Sequence, residues 1–238
     1  DNWMIFCSFL LLSGLCVGIL EVVVNLEADR IEYLVKRRIM NRAHSFWSLG
    51  FFSTGFLGAG VAQLDVAPAL HFLVSALVST LATVAYFRNY SPAPERPGSD
   101  TSTPHFVMPS KSIMFLVVLT LSAMLVEGSG IDWSVIYMRD VHQTLPIVSG
   151  LAFAIGAFSQ FVARFFADQY VDKYGAEQVA KYSIFLMLIG VFCVTFSPSP
   201  LFALFGFTFM GAGNAVIFPL AISAAAQKTD RPAAVNVA

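Results

Sequence analysis

The stretch SGLCVGILEVVVNLEADR, Ser13 to Arg30, decides how the chain is read: an apolar run continues through Val24 and yet holds Glu21 inside it. An ionised carboxylate in hydrocarbon is expensive, so an acid at that depth marks either a helix outside lipid or a residue with a task. The composition around it selects lipid. The chain is 57% hydrophobic and only 12% charged, with 23 Phe, and its mean hydropathy is +0.71. Soluble domains carry roughly 25% charged residues. The apolar residues fall in blocks close to the roughly 20 residues that cross about 30 Å of hydrocarbon as a helix. The polarity does not alternate as it does along barrel strands.

Working outward from Glu21, seven spans are expected: Trp3 to Val24, Ser45 to Gln63, Ala69 to Phe87, Ile113 to Tyr137, Ile147 to Phe166, Tyr182 to Phe196 and Leu201 to Ser223. Alternate connections then collect Arg30, Lys36, Arg37, Arg38 and Arg42; Arg88, Arg96 and Lys111; Lys173 and Lys181; and Lys228 and Arg231. Arg164, at the inner end of the fifth span, joins them, and Arg139 alone of the Lys and Arg residues falls on the other face. The positive-inside rule makes the richer face cytoplasmic and the chain a multi-pass protein of the cell membrane. Asp1 is not a natural start, and for a full protein that starts in the cytoplasm an odd number of spans is expected upstream. The connection 89–112 holds Pro92, Pro94, Pro97, Pro104 and Pro109 among Ser, Thr and Gly, which is linker composition. It divides the chain into part of one bundle, 1–88 with three spans, and part of a second, 113–238 with four. Helical bundles joined in this way are typical of secondary transporters.

The candidate chemistry lies where polar residues interrupt the spans. Gly14, Gly18, Glu21 and Asn25 share one helical face. Desolvation raises the pKa of such a carboxyl towards physiological pH, so Glu21 is the candidate proton carrier. Asn41, Ser45, Ser48, Phe52 and Gly55 align in the second span beside His44, as a cavity lining or an interfacial cap. In VEGSGIDWSVIYMRD, Gly128 and Gly130 next to Glu127 predict a broken or bent helix, the usual pointer to a midplane binding site. Trp133 and Tyr137 suit an outer aromatic belt, or Trp133 a stacking contact with a sugar ring. Phe153, Gly156 and Gln160 share a face of the fifth span, and Gly211, Asn214 and Phe218 one of the seventh, with Pro219 to bend it. Amides with aromatic rings suit a hydroxyl-rich ligand, and suit helix-to-helix hydrogen bonding equally. The candidate substrate contacts are therefore Asn25, Ser48, Phe52, Glu127, Trp133, Gln160 and Asn214. Between the fifth and sixth spans, Arg164, Asp168, Asp172, Lys173 and Gly175 form a candidate cytoplasmic latch that breaks when access switches sides.

Other classes find less support. Cys7, Cys16 and Cys193 have no metal-ligand spacing, the net charge of −1 with no basic stripe gives nucleic acid no surface, and no span carries a nucleophile motif. No cofactor, no metal and no enzymatic activity are expected. A receptor or purely structural bundle would not need Glu21, Glu127 and Gln160 at membrane depth.

The short D-K-x-G at Asp172 to Gly175, the linker and the sided charges resemble the major facilitator superfamily, over nearly the whole chain, as spans four to ten of its twelve. LEVVVN at Leu20 to Asn25, NRAHSFWSLG at Asn41 to Gly50 and EGSGIDWSVIYMRD are similar to its fucose-permease-like branch. That resemblance implies proton-coupled sugar uptake, with a fourth-span glutamate as the protonatable group, and Glu21 is the matching position; a monomer is expected. Export of drug-like or amphipathic compounds is the alternative. The loop departs from the family pattern: paired basic residues after Gly175 are missing, and Asp168 stands where a glycine is expected. A chain of these seven spans is not expected to transport by itself.

Overall fold

The computed structural model describes residues 2–94, 108 and 110–226; most of the expected linker, and the Arg96, Lys228 and Arg231 of the sided-charge reading, lie outside the described residues. The described residues fold into helices: α1 (Trp3–Val35), α2 (Met40–Gln63), α3 (Pro68–Phe87), α4 (Lys111–Asp140), α5 (Pro146–Tyr174), α6 (Ala176–Thr195), α7 (Pro200–Asn214) and α8 (Ile217–Ala226), with no strand among them. The chain is thus an all-α membrane protein. Six segments are long and apolar enough to cross a bilayer, α7 running into α8 as one of them. The segment that falls short is α2, for a physical reason: Gly, Ser and Thr interrupt its apolar run. Ser53 and Thr54 hydroxyls donate back to Leu49 and Gly50 carbonyls at 2.8 Å, the internal satisfaction that lipid demands.

Local chemistry sets the ends. Pro68, Pro146 and Pro200 open α3, α5 and α7, where a missing N–H costs nothing. Ser110 Oγ accepts from Ile113 N at 3.5 Å to cap α4. Lys36 at φ 50° and Gly175 at φ 83° turn the chain after α1 and α5, and a left-handed φ is cheap for glycine. Beyond α3, Tyr90 donates its hydroxyl to Glu27 of α1, and Ala93 N donates to the same oxygen at 2.6 Å. The hydrogen bond to Glu27 pushes the Tyr90 phenol up to about 12.

Small residues set the packing. Asn41 meets Asp168, Ser48 meets Gln160, Gly55 lies against Phe153, Ala59 against Gly150, and Gln63 accepts from Ile147 N, so α2 and α5 run antiparallel along their length. A Cβ on Gly190 would sit 2.5 Å from Met210 N and 2.7 Å from Gly206 O, so α6 and α7 touch backbone to backbone there. Close approach through glycine is how helices gain contact in a solvent as apolar as they are. Met138, Ala152, Ala203, Phe207 and Met210 form the core between α4, α5 and α7. By contrast α1 and α3 are exposed nearly throughout, and their Leu, Val and Phe side chains suit lipid.

One expectation is corrected. Helix α4 passes through Gly128 and Gly130 without a break, because glycine lowers helix propensity by only about 1 kcal/mol and keeps its N–H. The interruption lies in the seventh span, which Pro219 was expected to bend, between Asn214 and Ile217. Pro219 cannot donate to the Ala215 carbonyl four residues earlier, and its ring crowds that carbonyl.

Candidate functional site

The break exposes a carbonyl, and α5 supplies its donor. Arg164, one turn beyond Gln160, donates Nε to the Ala215 carbonyl at 2.6 Å, in place of the N–H that Pro219 lacks. Its Nη1 donates to Ser48 Oγ of α2 at 2.9 Å, and its Nη2 lies 3.5 Å from Glu127 Oε1 of α4. Gln160 Nε2 donates to Glu127 Oε1 and Asn214 Nδ2 to Glu127 Oε2, both at 2.7 Å. Ser48 Oγ in turn donates to Gln160 Oε1 at 2.9 Å. One carboxylate thus receives two amides and a guanidinium from two neighbouring helices. Ser48, Gln160, Arg164 and Asn214 are all buried, and Glu127 is 23% exposed on its side chain. A buried charge survives only when paired and hydrogen-bonded, and this cluster meets that requirement nearly in full. The exception is Asn214 Oδ1, buried with no donor.

Beside the cluster lies a cavity of about 40 Å³, walled by Glu127, Gln160 and Asn214 with the rings of Phe51, Phe153 and Phe207. That volume accommodates on the order of two or three waters and no sugar, so a larger guest enters only if helices part. Phe51 meets Phe153 edge to face, with ring centroids 6.0 Å apart. His44 packs edge-on against Phe218.

Of the sequence candidates, Ser48, Glu127, Gln160 and Asn214 come together here. Phe52 does not line the cavity; it tilts against Phe158, with centroids 5.0 Å apart, and its neighbour Phe51 takes the wall position. Trp133 is 63% exposed on α4, away from the cavity. Asn25 is half-buried and Glu21 exposed on α1; among the described residues Glu21 has no hydrogen-bond or ion-pair partner, and neither residue reaches the cluster.

The latch residues divide. Arg164 points into the cluster rather than to an acid at the helix end, because the Ala215 carbonyl and Glu127 offer it partners at membrane depth. Asp168 is buried and accepts from Asn41 Nδ2 at 2.6 Å. Asp172 lies 3.5 Å from Arg38, both well exposed, and Lys173 sits over the Tyr174 ring. Gly175 turns α5 into α6. Sequence reasoning missed Arg164 as a cluster member and Asn41 as a partner of Asp168. The signal for the first was Gly156, Gln160, Arg164 and Asp168 at successive helical turns on one face of α5.

Comparison with known proteins agrees with the architecture. The chain is 29% identical over 230 residues to an uncharacterised transporter of Sinorhizobium fredii, covering 96% of this chain and 60% of that one. It is 27% identical to an uncharacterised MFS-type transporter of Yersinia pestis, covering 96% and 59% of the two chains. It is also 27% identical to membrane protein MosC of Rhizobium meliloti, covering 94% and 54%. The chain therefore spans less than two thirds of the length of these relatives. No solved structure matches it. The model of the Major Facilitator Superfamily matches residues 1–238, and the chain belongs to that family.

Proposed function

We propose that this chain is part of a secondary active transporter that takes up a sugar or similar small polar solute together with protons, by alternating access in a cell membrane. The observation that carries the reading is Glu127, held by Gln160, Asn214 and Arg164 at the wall of a cavity that also presents aromatic rings. Amides and a carboxylate bind hydroxyls while rings cover apolar sugar faces, and Asn214 Oδ1 still lacks a donor such as a hydroxyl would give. Glu21 is the proton-coupling group in this reading, on the strength of its place in an apolar helix. Residues 1–88 and 113–238 belong to two bundles that rock against each other about a cytoplasmic linker, 89–112. Asp172 and Arg38 tie the inner end of α5 to the connection that leads into α2 in one of the two states.

The test uses the full-length chain in proteoliposomes, following internal pH as monosaccharides are added, for the parent and for Glu21→Gln and Asn214→Ala. Proton entry driven by one sugar, abolished by Glu21→Gln and weakened at least tenfold in apparent affinity by Asn214→Ala, is the expected result. A parent that moves no protons with any sugar, yet expels an amphipathic dye, would put export in its place, an outcome for which the Phe51, Phe153 and Phe207 wall gives grounds.

A further inference from the structure

Asn41 of α2 and Asp168 of α5 meet away from the Glu127 cluster and are 6% and 7% exposed. Asn41 Nδ2 donates to Asp168 Oδ1 at 2.6 Å. The second oxygens of the same two groups, Asn41 Oδ1 and Asp168 Oδ2, are both buried and both without a donor. With Asp168 ionised, two buried acceptors on a hydrogen-bonded pair of groups would both be left without a donor, an arrangement folded proteins avoid. What is missing is one hydrogen. A carboxylic acid and a carboxamide are planar groups of matching width, so an O–H from Asp168 Oδ2 to Asn41 Oδ1 closes a ring with the N–H bond already present.

We propose that Asp168 binds a proton and that the Asn41–Asp168 pair is a proton-dependent clasp between α2 and α5. The proton comes from water at the helix ends and adds to Oδ2; no bond other than the new O–H forms or breaks. The sign follows: the clasp holds when the carboxyl is protonated and fails as rising pH removes the proton, which leaves Oδ2 and Asn41 Oδ1 as two acceptors with no donor.

Apart from Arg42, the charged neighbours are committed elsewhere. On α5, Arg164 is engaged by Ala215, Ser48 and Glu127, and Asp172 by Arg38. On α2, Arg42 lies over the Phe165 ring with no ion pair to Asp168, and His44 packs against Phe218. Before α2, Glu32 accepts from Ile39 N and Met40 N at 2.8 and 3.1 Å. On α6, Glu177 and Lys181 pair with each other at 2.6 Å, and described α8 brings no charge. The rival donor is Arg42 Nε, itself buried without a partner, which would need to swing from Phe165 to an ionised Asp168.

Infrared spectroscopy of the full chain in liposomes separates these accounts, because a protonated carboxyl absorbs apart from carboxylates and amides. The expected result is a protonated-carboxyl band at neutral pH that disappears in Asp168→Asn, shifts in frequency in Asn41→Ala, fades as pH rises and is indifferent to Arg42→Gln. A band unchanged by Asp168→Asn, or one that appears only after Arg42→Gln, overturns the proposal. Should Asp168→Asn fail to fold, Asn41→Ala decides alone: an unshifted band refutes the clasp. The inference does not rest on the solute, since loss of sugar-driven proton entry would leave this band in place.

Discussion

Arg164→Met should destabilise the chain more than any other single change in the Glu127 cluster. Its guanidinium makes two hydrogen bonds, at 2.6 Å to Ala215 O and 2.9 Å to Ser48 Oγ, and lies 3.5 Å from Glu127. Hydrogen bonds from charged donors are worth about 1.5–3 kcal/mol each. The ion pair at that separation is worth about 5 kcal/mol before desolvation, at an effective dielectric of about 20. Methionine keeps the apolar stem and removes all three contacts. It leaves Glu127 with only its two amide donors and the Ala215 carbonyl with none, since Pro219 cannot supply one. Removing one partner of a buried pair costs about 3–5 kcal/mol, and that is the expected loss. Glu127→Gln should cost less, about 1–2 kcal/mol: Arg164 retains Ala215 and Ser48, and Asn214 can turn its unpartnered Oδ1 towards the new amide. The double variant should cost at least 1 kcal/mol less than the sum of the two. The assay is reversible unfolding in mixed micelles on raising the fraction of denaturing detergent, followed by far-UV circular dichroism. Equal costs for the two single variants, or strict additivity, would refute the view that Arg164 is anchored at the helix break and coupled to Glu127.

Pro219→Ala restores an N–H opposite the Ala215 carbonyl, which then competes with Arg164; α7 and α8 should join into one helix at unchanged or slightly higher stability, while solute uptake by the full-length chain falls. Retained uptake would mean that the break has no part in the cycle. Gly190→Val places a side chain where the α7 backbone already lies 2.5 Å from an ideal Cβ, so overpacking should lower stability by roughly 1–3 kcal/mol or more in the same micelle assay. A variant as stable as the parent would mean that α6 and α7 are not in backbone contact.

The class of the fold was legible in one dimension because lipid imposes a simple rule: each crossing must satisfy its own backbone and present apolar side chains. Six segments meet it outright, and α2 shows the limit of that criterion, trading hydropathy for the small residues that let α5 approach. The division of the seventh span was announced by Pro219, whereas Gly128 and Gly130 predicted a break that did not occur; proline removes a donor, and glycine only weakens a preference.

By itself the sequence determined that the chain is a set of apolar helices, that its basic residues collect in alternate connections, and that Ser48, Glu127, Gln160 and Asn214 are polar side chains at membrane depth. Periodicity fixes which residues share a face of one helix but says nothing of which helix that face meets. Only the tertiary structure decided that Arg164 turns inward to a proline-orphaned carbonyl and Glu127, that Asn41 crosses to Asp168, and that Glu21 stands apart from both. Those pairings join residues up to 127 positions apart, and they follow from where glycine and alanine let backbones close together.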